Sequence, residues 1–171
     1  MYQLVKPTIF YKKKYLDYMK EWNSETITPV ISDLRGRRFE TLLKELYEFE
    51  HETRLPKGYF PDSSYLFVDG KDDIIGFVNI RHYLNDTLLN ARGNISYGLR
   101  PTHRTDEIAQ IVLKLSLEEA KDIGIKRVKV ISKKIDIAMS EFIKGLGGTF
   151  DSDDYNEIDR YHIQRYWINL G

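Results

Sequence analysis

The order of helical and strand patterns constrains the fold of this 171-residue chain more than any other feature. A short strand pattern at 2–6 precedes two amphipathic helical patterns at 10–22 and 38–53. The later patterns predict strands at 64–68, 74–83 and 91–100, a helix at 105–123, a strand at 126–132, a helix at 136–146, and strands at 149–151 and 161–169. Antiparallel neighbours followed by a strand–helix–strand crossover predict an α+β (mixed α/β) fold, with one central mixed sheet of about seven strands flanked by about four helices.

Composition narrows the function classes. Lys plus Arg and Asp plus Glu each number 26, so a zero formal net charge argues against binding nucleic acid by neutralising phosphates. The absence of cysteine excludes a disulfide scaffold, a thiolate nucleophile and a cysteine-based zinc site. No segment approaches the ~20 apolar residues of a membrane helix, and none has the pattern of a targeting signal. We therefore expect residues 1–171 to form a single cytoplasmic domain with neither nucleic-acid nor membrane partners.

Motifs of several common enzyme classes are absent from the sequence. It contains no P-loop, no dinucleotide-binding glycine pattern, no H-E-x-x-H zinc motif and no G-x-S-x-G elbow. The four histidines are dispersed, and none pairs with another at a spacing of four residues. We therefore expect no metal site.

Four phrases in the second half of the chain carry a family resemblance. They are NIRHYLN at 79–85, GNISYGLRP at 93–101, KKIDIAMSEFIKGLGG at 133–148 and RYWINL at 165–170. In this order and on these elements they resemble the GCN5-related N-acetyltransferases (GNAT), in particular a bacterial branch of predicted acetyltransferases. The resemblance implies the GNAT-like acyl-CoA N-acyltransferase fold. It also implies transfer of an acetyl group from acetyl-CoA to an amine, on a small molecule or a peptide, by direct attack in a ternary complex.

The resemblance also implies where acetyl-CoA binds. It places the cofactor between two splayed strands, with the pantetheine arm on the backbone near Leu99 and Arg100 and the pyrophosphate at the N-terminus of the next helix. The family motif R/Q-x-x-G-x-G/A falls there on Arg104, Thr105, Asp106, Glu107, Ile108 and Ala109. Glu107 replaces the central glycine, and Asp106 adds a second carboxylate where a diphosphate would dock.

These departures from the motif also have a purely structural interpretation. Thr105 is a favourable N-cap, and acidic residues in a first turn complement the helix dipole. The helix would then be capped by its own anions, and acetyl-CoA binding would be weak or absent. Two alternatives remain open: a catalytically inactive GNAT-fold binding or assembly module, and an enzyme that uses a different acyl donor.

Candidates for the chemistry lie on the strands beside the expected cleft. His82 and Tyr97 are candidates to accept the proton of the amine, and the alternatives are a structural histidine and a core tyrosine. Alternation along the strand places His82 on the face opposite Asn79 and Arg81. Asn79, Arg81 and Asn85 either shape the acceptor pocket or cap the loop 84–92.

Two further features are ambiguous in the sequence. Asp136 occupies the place where the family has an asparagine that begins the later helix, so it is either a cofactor contact or a plain N-cap. The family's serine and tyrosine on that helix are replaced by Met139 and Ile143, which leaves the general acid unassigned. The last strand pattern, 161–170, is rich in aromatic residues and predicts either a core strand or a pairing edge in a homodimer.

Overall fold

The computed structural model describes residues 1–53, 55–85 and 91–171. The strands in these ranges are β1 Gln3–Val5, β2 Asp62–Val68, β3 Ile74–Arg81, β4 Ile95–Leu99, β5 Arg127–Lys133, β6 Thr149–Asn156 and β7 Tyr161–Asn169. The α-helices are α1 Lys12–Glu21, α2 Phe39–Glu50, α3 Asp106–Asp122 and α4 Ile137–Gly145. Of the helices in these ranges, none is long and apolar enough to cross a membrane. Residues 86–90 of the predicted loop 84–92 lie outside the described residues.

The strands form two antiparallel sheets, which corrects the prediction of a single mixed sheet. The first sheet has the order β1-β2-β3-β4 and the second has the order β5-β7-β6. The unit β4-α3-β5 therefore connects two sheets, and β4 and β5 form no ladder in the described chain. The predicted α+β class is confirmed, and within the described ranges so are the four helices and the predicted element order.

The first sheet is covered on both faces, and its alternation assigns each side chain to one of two cores. Phe77 of β3 packs with Tyr15, Tyr18 and other side chains of α1 and α2. Its neighbour Val78 points to the other face and packs with Val112 of α3. Burial of each such side chain contributes about 1.5–3 kcal/mol, so the two cores fix the helices to opposite faces.

β4 and β6 differ most in length from the prediction. β4 begins at Ile95 because Gly93 has a φ of +68° and the Asn94 N–H donates to Lys129 of the second sheet, although the Asn94 carbonyl still accepts from the Arg81 N–H of β3. β6 continues to Asn156, where the sequence predicted a polar turn. Its polar side chains are mostly exposed on an edge strand, while pairing with β7 satisfies the backbone.

The last strand, β7, is the middle strand of the second sheet. It pairs with β5 on one side and with β6 on the other. The core-strand interpretation is therefore confirmed, and neither edge of β7 is open to pairing with a second copy of the chain.

Candidate functional site

Asn94 ties the two sheets together at one end of the gap between β4 and β5. Its backbone N–H donates to the Lys129 carbonyl at 3.0 Å, and its Oδ1 accepts from the Lys129 N–H at 2.8 Å. Its Nδ2 donates to the Arg81 carbonyl at 3.0 Å. Only glycine fits at position 93, because a Cβ there would lie 2.4 Å from the Lys129 oxygen. The buried Asn94 thus joins two strands that form no ladder with each other in the described chain.

Beyond Asn94, one edge of β4 pairs with β3, and the other edge of β4 faces the gap between β4 and β5. In an antiparallel pair, backbone groups point alternately toward and away from the partner strand. The hydrogen bond from the Arg100 N–H to the Ile75 carbonyl, 2.7 Å long, shows which residues point toward β3. The backbone groups of Tyr97 and Leu99 therefore point into the gap. They present hydrogen-bond donors along an edge that has no partner strand in the described chain.

A cavity with a volume of about 1250 Å³ occupies this gap and extends over the α1–α2 face of the first sheet. Its walls in the gap are Tyr97, Gly98 and Leu99 from β4, Ile131, Ser132 and Lys133 from β5, and Asp136 and Met139 at α4. Its other end is lined by side chains that include Trp22, Glu25, Tyr59 and Phe60. The predicted site residues that line the cavity are Asn79, Arg81, Asn85, Tyr97, Leu99, Arg104 and Asp136.

The N-terminus of α3 caps itself, as the structural interpretation of the motif expects. Thr105 is the N-cap, and its Oγ1 accepts from the Ile108 N–H at 3.2 Å. The Ala109 N–H donates to the Thr105 carbonyl at 3.0 Å. Asp106 and Glu107 are exposed in the first turn. Within the described residues, the backbone N–H groups of Asp106 and Glu107 are the only ones in this turn without a hydrogen-bond partner. The side-chain carboxylates of the same two residues lie beside these N–H groups.

Arg104, which precedes this turn, is held by the segment that follows α1. Its Nη1 donates to Glu25 Oε2 at 2.7 Å, and its guanidinium lies 4.8 Å from the ring centre of Trp22. Its Nε donates to the Leu99 carbonyl at 3.1 Å, which agrees with that carbonyl pointing away from β3. Part of the positive charge of Arg104 is therefore neutralised by the protein itself.

Arg100 is held in a similar way by the last residue of α1. Its Nε lies 2.9 Å from Glu21 Oε2, and Glu21 also accepts hydrogen bonds from the backbone N–H and side-chain hydroxyl of Thr102. Burial would raise the pKa of Glu21, but the Thr102 hydrogen bonds and the charge of Arg100 lower it overall. The ionised carboxylate of Glu21 thus fixes the segment between β4 and α3.

Tyr97 of β4 and Asp136 at the start of α4 both line the cavity. Burial, and then the negative charge of Asp136, raise the pKa of Tyr97 to about 12. Asp136 is the N-cap of α4, and its Oδ1 accepts from the Met139 N–H at 3.0 Å. At neutral pH Tyr97 keeps its proton, so this hydroxyl is a hydrogen-bond or proton donor and is not a base.

His82 does not line the cavity. Its Nε2 is 2.7 Å from Ser63 Oγ, and burial lowers its pKa. Its neighbour Ile80 is fully buried in the α3 core, while Asn79 and Arg81 line the cavity, so the predicted alternation is confirmed. The structure therefore does not bring His82 together with Tyr97. Among the described residues, no three His, Asp or Glu side chains gather where they could hold a metal ion.

Asp62 is a cavity residue that sequence reasoning missed. Its Oδ1 is buried and has no hydrogen-bond partner in the described chain. Burial raises its pKa to about 6, although a hydrogen bond from Asn79 and the charge of Arg81 oppose the shift. Alternation of polar residues at 62 and 64 was visible in the sequence. Their position beside Asn79 and Arg81 depends on the strand register, which the sequence does not give.

The fold can be compared with known proteins now that this geometry is described. No protein-family model and no curated protein matches the chain. The ribosomal-protein-S5-alanine acetyltransferase from Vibrio fischeri is similar in structure, with a TM-score of 0.68 and 12% identity over 99% of this chain and 93% of that chain. RimJ from Mycobacterium smegmatis, in complex with CoA-disulfide, gives a TM-score of 0.67 and 12% identity over 97% of this chain and 80% of that chain.

A dodecameric structure of spermidine N-acetyltransferase from Vibrio cholerae is also similar. Its TM-score is 0.64 and its identity 11%, over 99% of this chain and 93% of that chain. At such identities the likeness concerns the fold. The chain has the acyl-CoA N-acyltransferase fold of the GCN5-related N-acetyltransferases, as the sequence resemblance implied.

Proposed function

We propose that this protein is an N-acetyltransferase that uses acetyl-CoA and an amine acceptor in a ternary complex. The observation that carries the proposal is the edge of β4 that faces the cavity and pairs with no other described strand. An extended arm that contains amide groups can pair with such an edge as an added strand does. The N–H groups of Tyr97 and Leu99 are the donors for this pairing, and such donors can also stabilise the oxyanion that forms when an amine attacks a thioester.

The names of the similar structures support both proposed substrates, a CoA thioester and an amine. Their names include acetyltransferases of spermidine and of a ribosomal-protein alanine, and one was solved with CoA-disulfide. An amine must lose a proton before it attacks, because its pKa is normally about 10.4. Tyr97 keeps its own proton, so we assign it as the candidate donor to the departing thiolate. His82 is not carried into the mechanism because it lies outside the cavity.

We also propose that the pyrophosphate of acetyl-CoA is held weakly. Two exposed carboxylates, Asp106 and Glu107, flank the N–H groups that remain at the start of α3. The nearby cation of Arg104 is already bound by Glu25. The affinity for acetyl-CoA would then come more from its pantetheine arm, paired along β4, than from its phosphates. If cofactor binding is lost altogether, the alternative function as a binding or assembly module applies.

Isothermal titration with acetyl-CoA tests this proposal. Glu107→Gln removes one charge, and Glu107→Gly also removes the side chain. We expect affinity to rise about three- to tenfold for the first change and further for the second, because like charges repel the diphosphate. The gain should shrink in high salt, which screens exposed charges. Asp122→Asn, at the opposite end of α3, is the matched charge control and should change nothing.

Two results would contradict these proposals. Equal affinities of the wild type and Glu107→Gln would show that the acidic turn does not weaken binding. If neither the wild type nor Glu107→Gly binds acetyl-CoA, and neither releases CoA with any amine, the acetyltransferase proposal fails.

A further inference from the structure

The face of the first sheet under α1 and α2 changes from apolar to polar along the strands. Leu66, Val68 and Phe77 lie in the core that these helices cover. Further along the same face, by alternation and register, come the polar side chains of Asp62, Ser64, Asn79, Arg81 and Ser96. Asp62, Asn79, Arg81 and Ser96 line the cavity. This set of five residues is called the polar floor below.

Most of the polar floor is satisfied internally. Asn79 Nδ2 donates to Ser64 Oγ at 3.1 Å, and Asn79 is only 2% exposed. Arg81 Nη1 donates to Ser96 Oγ at 2.9 Å and to the Gly93 carbonyl at 3.4 Å. A buried polar atom without a partner is costly, so the remaining unpaired atom in this floor requires an explanation.

That atom is Oδ1 of Asp62, beside Arg81. The two residues are directly opposite on β2 and β3, and their pair is of the non-hydrogen-bonded kind, whose side chains lie close together. Even so, they form no ion pair: the Arg81 guanidinium is directed toward β4, and the Asp62 Oδ1 has no partner in the described chain. Nη2 and Nε of Arg81 are not engaged there either. An anion and a cation thus stand side by side at the cavity, each with unused hydrogen-bonding capacity.

A zwitterion complements this arrangement. An ammonium group supplies the donors that Asp62 lacks, and a carboxylate accepts from the planar guanidinium, which suits bidentate binding. A polyamine complements it poorly because Arg81 would repel a second cation. The carboxyl of Asp62, with a pKa of about 6, is largely ionised at neutral pH, and a bound ammonium would favour that form further.

Distance identifies which group of the ligand reacts. Two strand spacings, about 10 Å, separate β2, which carries Asp62, from β4, whose edge faces the gap. A group bound at Asp62 is therefore not the group that attacks an acyl donor at Tyr97. A second amine on an aliphatic chain of lysine length would extend from the polar floor toward β4.

We propose that Asp62 and Arg81 bind the zwitterionic head of the acceptor, Asp62 taking the α-ammonium and Arg81 the α-carboxylate, so that the acceptor is a diamino acid of the lysine type. The transfer step rests on the proposed acetyltransferase function. In it, the side-chain ammonium loses a proton to solvent, and its nitrogen bonds to the acyl carbon as the carbon–sulfur bond breaks. The nitrogen then loses a second proton and the thiolate gains one, so each turnover releases one proton.

Three matched probes test the head site by calorimetry on the full chain without cofactor. L-Lysine has the head and the second amine, L-norleucine has the head alone, and cadaverine has two amines without the carboxylate. We expect L-lysine and L-norleucine to bind with similar affinity and cadaverine at least tenfold more weakly. L-Norleucine should also inhibit release of CoA with L-lysine without being acetylated. Cadaverine binding as tightly as L-lysine would overturn the proposal.

Variants assign the binding to these residues. Asp62→Asn should weaken binding of L-lysine and L-norleucine at least tenfold. It should fold, because asparagine has nearly the same shape as aspartate and keeps a side-chain oxygen that can accept from Asn79. Arg81→Lys keeps the positive charge but loses the planar guanidinium group. It should weaken the binding of both amino acids severalfold. Asp17→Asn, on the exposed face of α1, is the matched control and should bind as the wild type does. Normal L-lysine binding by Asp62→Asn would refute the assignment.

A parallel titration with acetyl-CoA separates the two proposals. If acetyl-CoA binds and the amino acids do not, the head site is wrong and the acetyltransferase function stands. If the amino acids bind as expected and acetyl-CoA does not, the site stands and the acetyltransferase function fails.

Discussion

Asn94 is predicted to hold the two sheets at the end of the gap, and Asn94→Ala tests this. The side chain is buried, with the residue 3% exposed, and makes two hydrogen bonds. Its removal leaves the Lys129 N–H and the Arg81 carbonyl without these partners. Each buried group that loses its partner costs about 1–3 kcal/mol, so the free energy of unfolding should fall by about 2–6 kcal/mol. In a chain of this size that corresponds to a fall of about 5–20 °C in Tm.

Urea denaturation and amide hydrogen exchange together measure this effect. Urea gives the change in the free energy of unfolding at unchanged slope, and exchange of the Lys129 amide should become faster than that of other β5 amides. Asn169→Ala, an exposed asparagine at the end of β7, is the control and should stay within about 0.5 kcal/mol. A loss below about 1 kcal/mol, with unchanged exchange at Lys129, would refute the role assigned to Asn94.

Two more predictions concern residues that shape the cavity. A Cβ at Gly98 would lie 1.7 Å from the Thr28 carbonyl oxygen, whereas one at Gly145 meets nothing within 4 Å. Gly98→Ala should therefore cost about 1–3 kcal/mol in urea denaturation and Gly145→Ala should cost nothing; equal effects would contradict the packing argument. Asp62 has a pKa of about 6 in the folded protein and about 3.9 in an unfolded chain. Between these two pH values the folded protein therefore keeps a proton on Asp62 that the unfolded chain has lost. The stability of the wild type should fall from pH 4 to 6 relative to Asp62→Asn, by up to about 3 kcal/mol; parallel pH profiles would disprove the shift.

Local features of the fold were predictable from the sequence. Thr105 acts as the N-cap of α3, and its oxygen bonds to the Ile108 N–H three residues later. The opposite placement of Ile80 and Asn79 follows from the alternation of a strand. Each of these depends on residues a few positions apart, whose relative positions are fixed once the local conformation is known.

Features that depend on distant pairing were not predictable. The junction between the two sheets depends on Asn94 meeting Lys129, which lies 35 positions later. The length of β6 depends on β7, which supplies its ladder although residues such as Asp153 have little preference for strands. The hydrogen bond of His82 depends on the register of β2 against β3, which places Ser63 opposite Ile80 and so within reach of the His82 side chain on the same face.

The sequence by itself determined the order of the elements, the acyl-CoA N-acyltransferase fold that this order and the four phrases indicated, and the acidic first turn of α3. Only the tertiary structure showed that Arg104 is bound by Glu25 and that Asp62 and Arg81 stand side by side at the cavity. The physical reason is that spacing along the chain fixes which face a side chain occupies. The partner it meets on that face is set by strand register and helix packing, which involve residues far apart in the sequence.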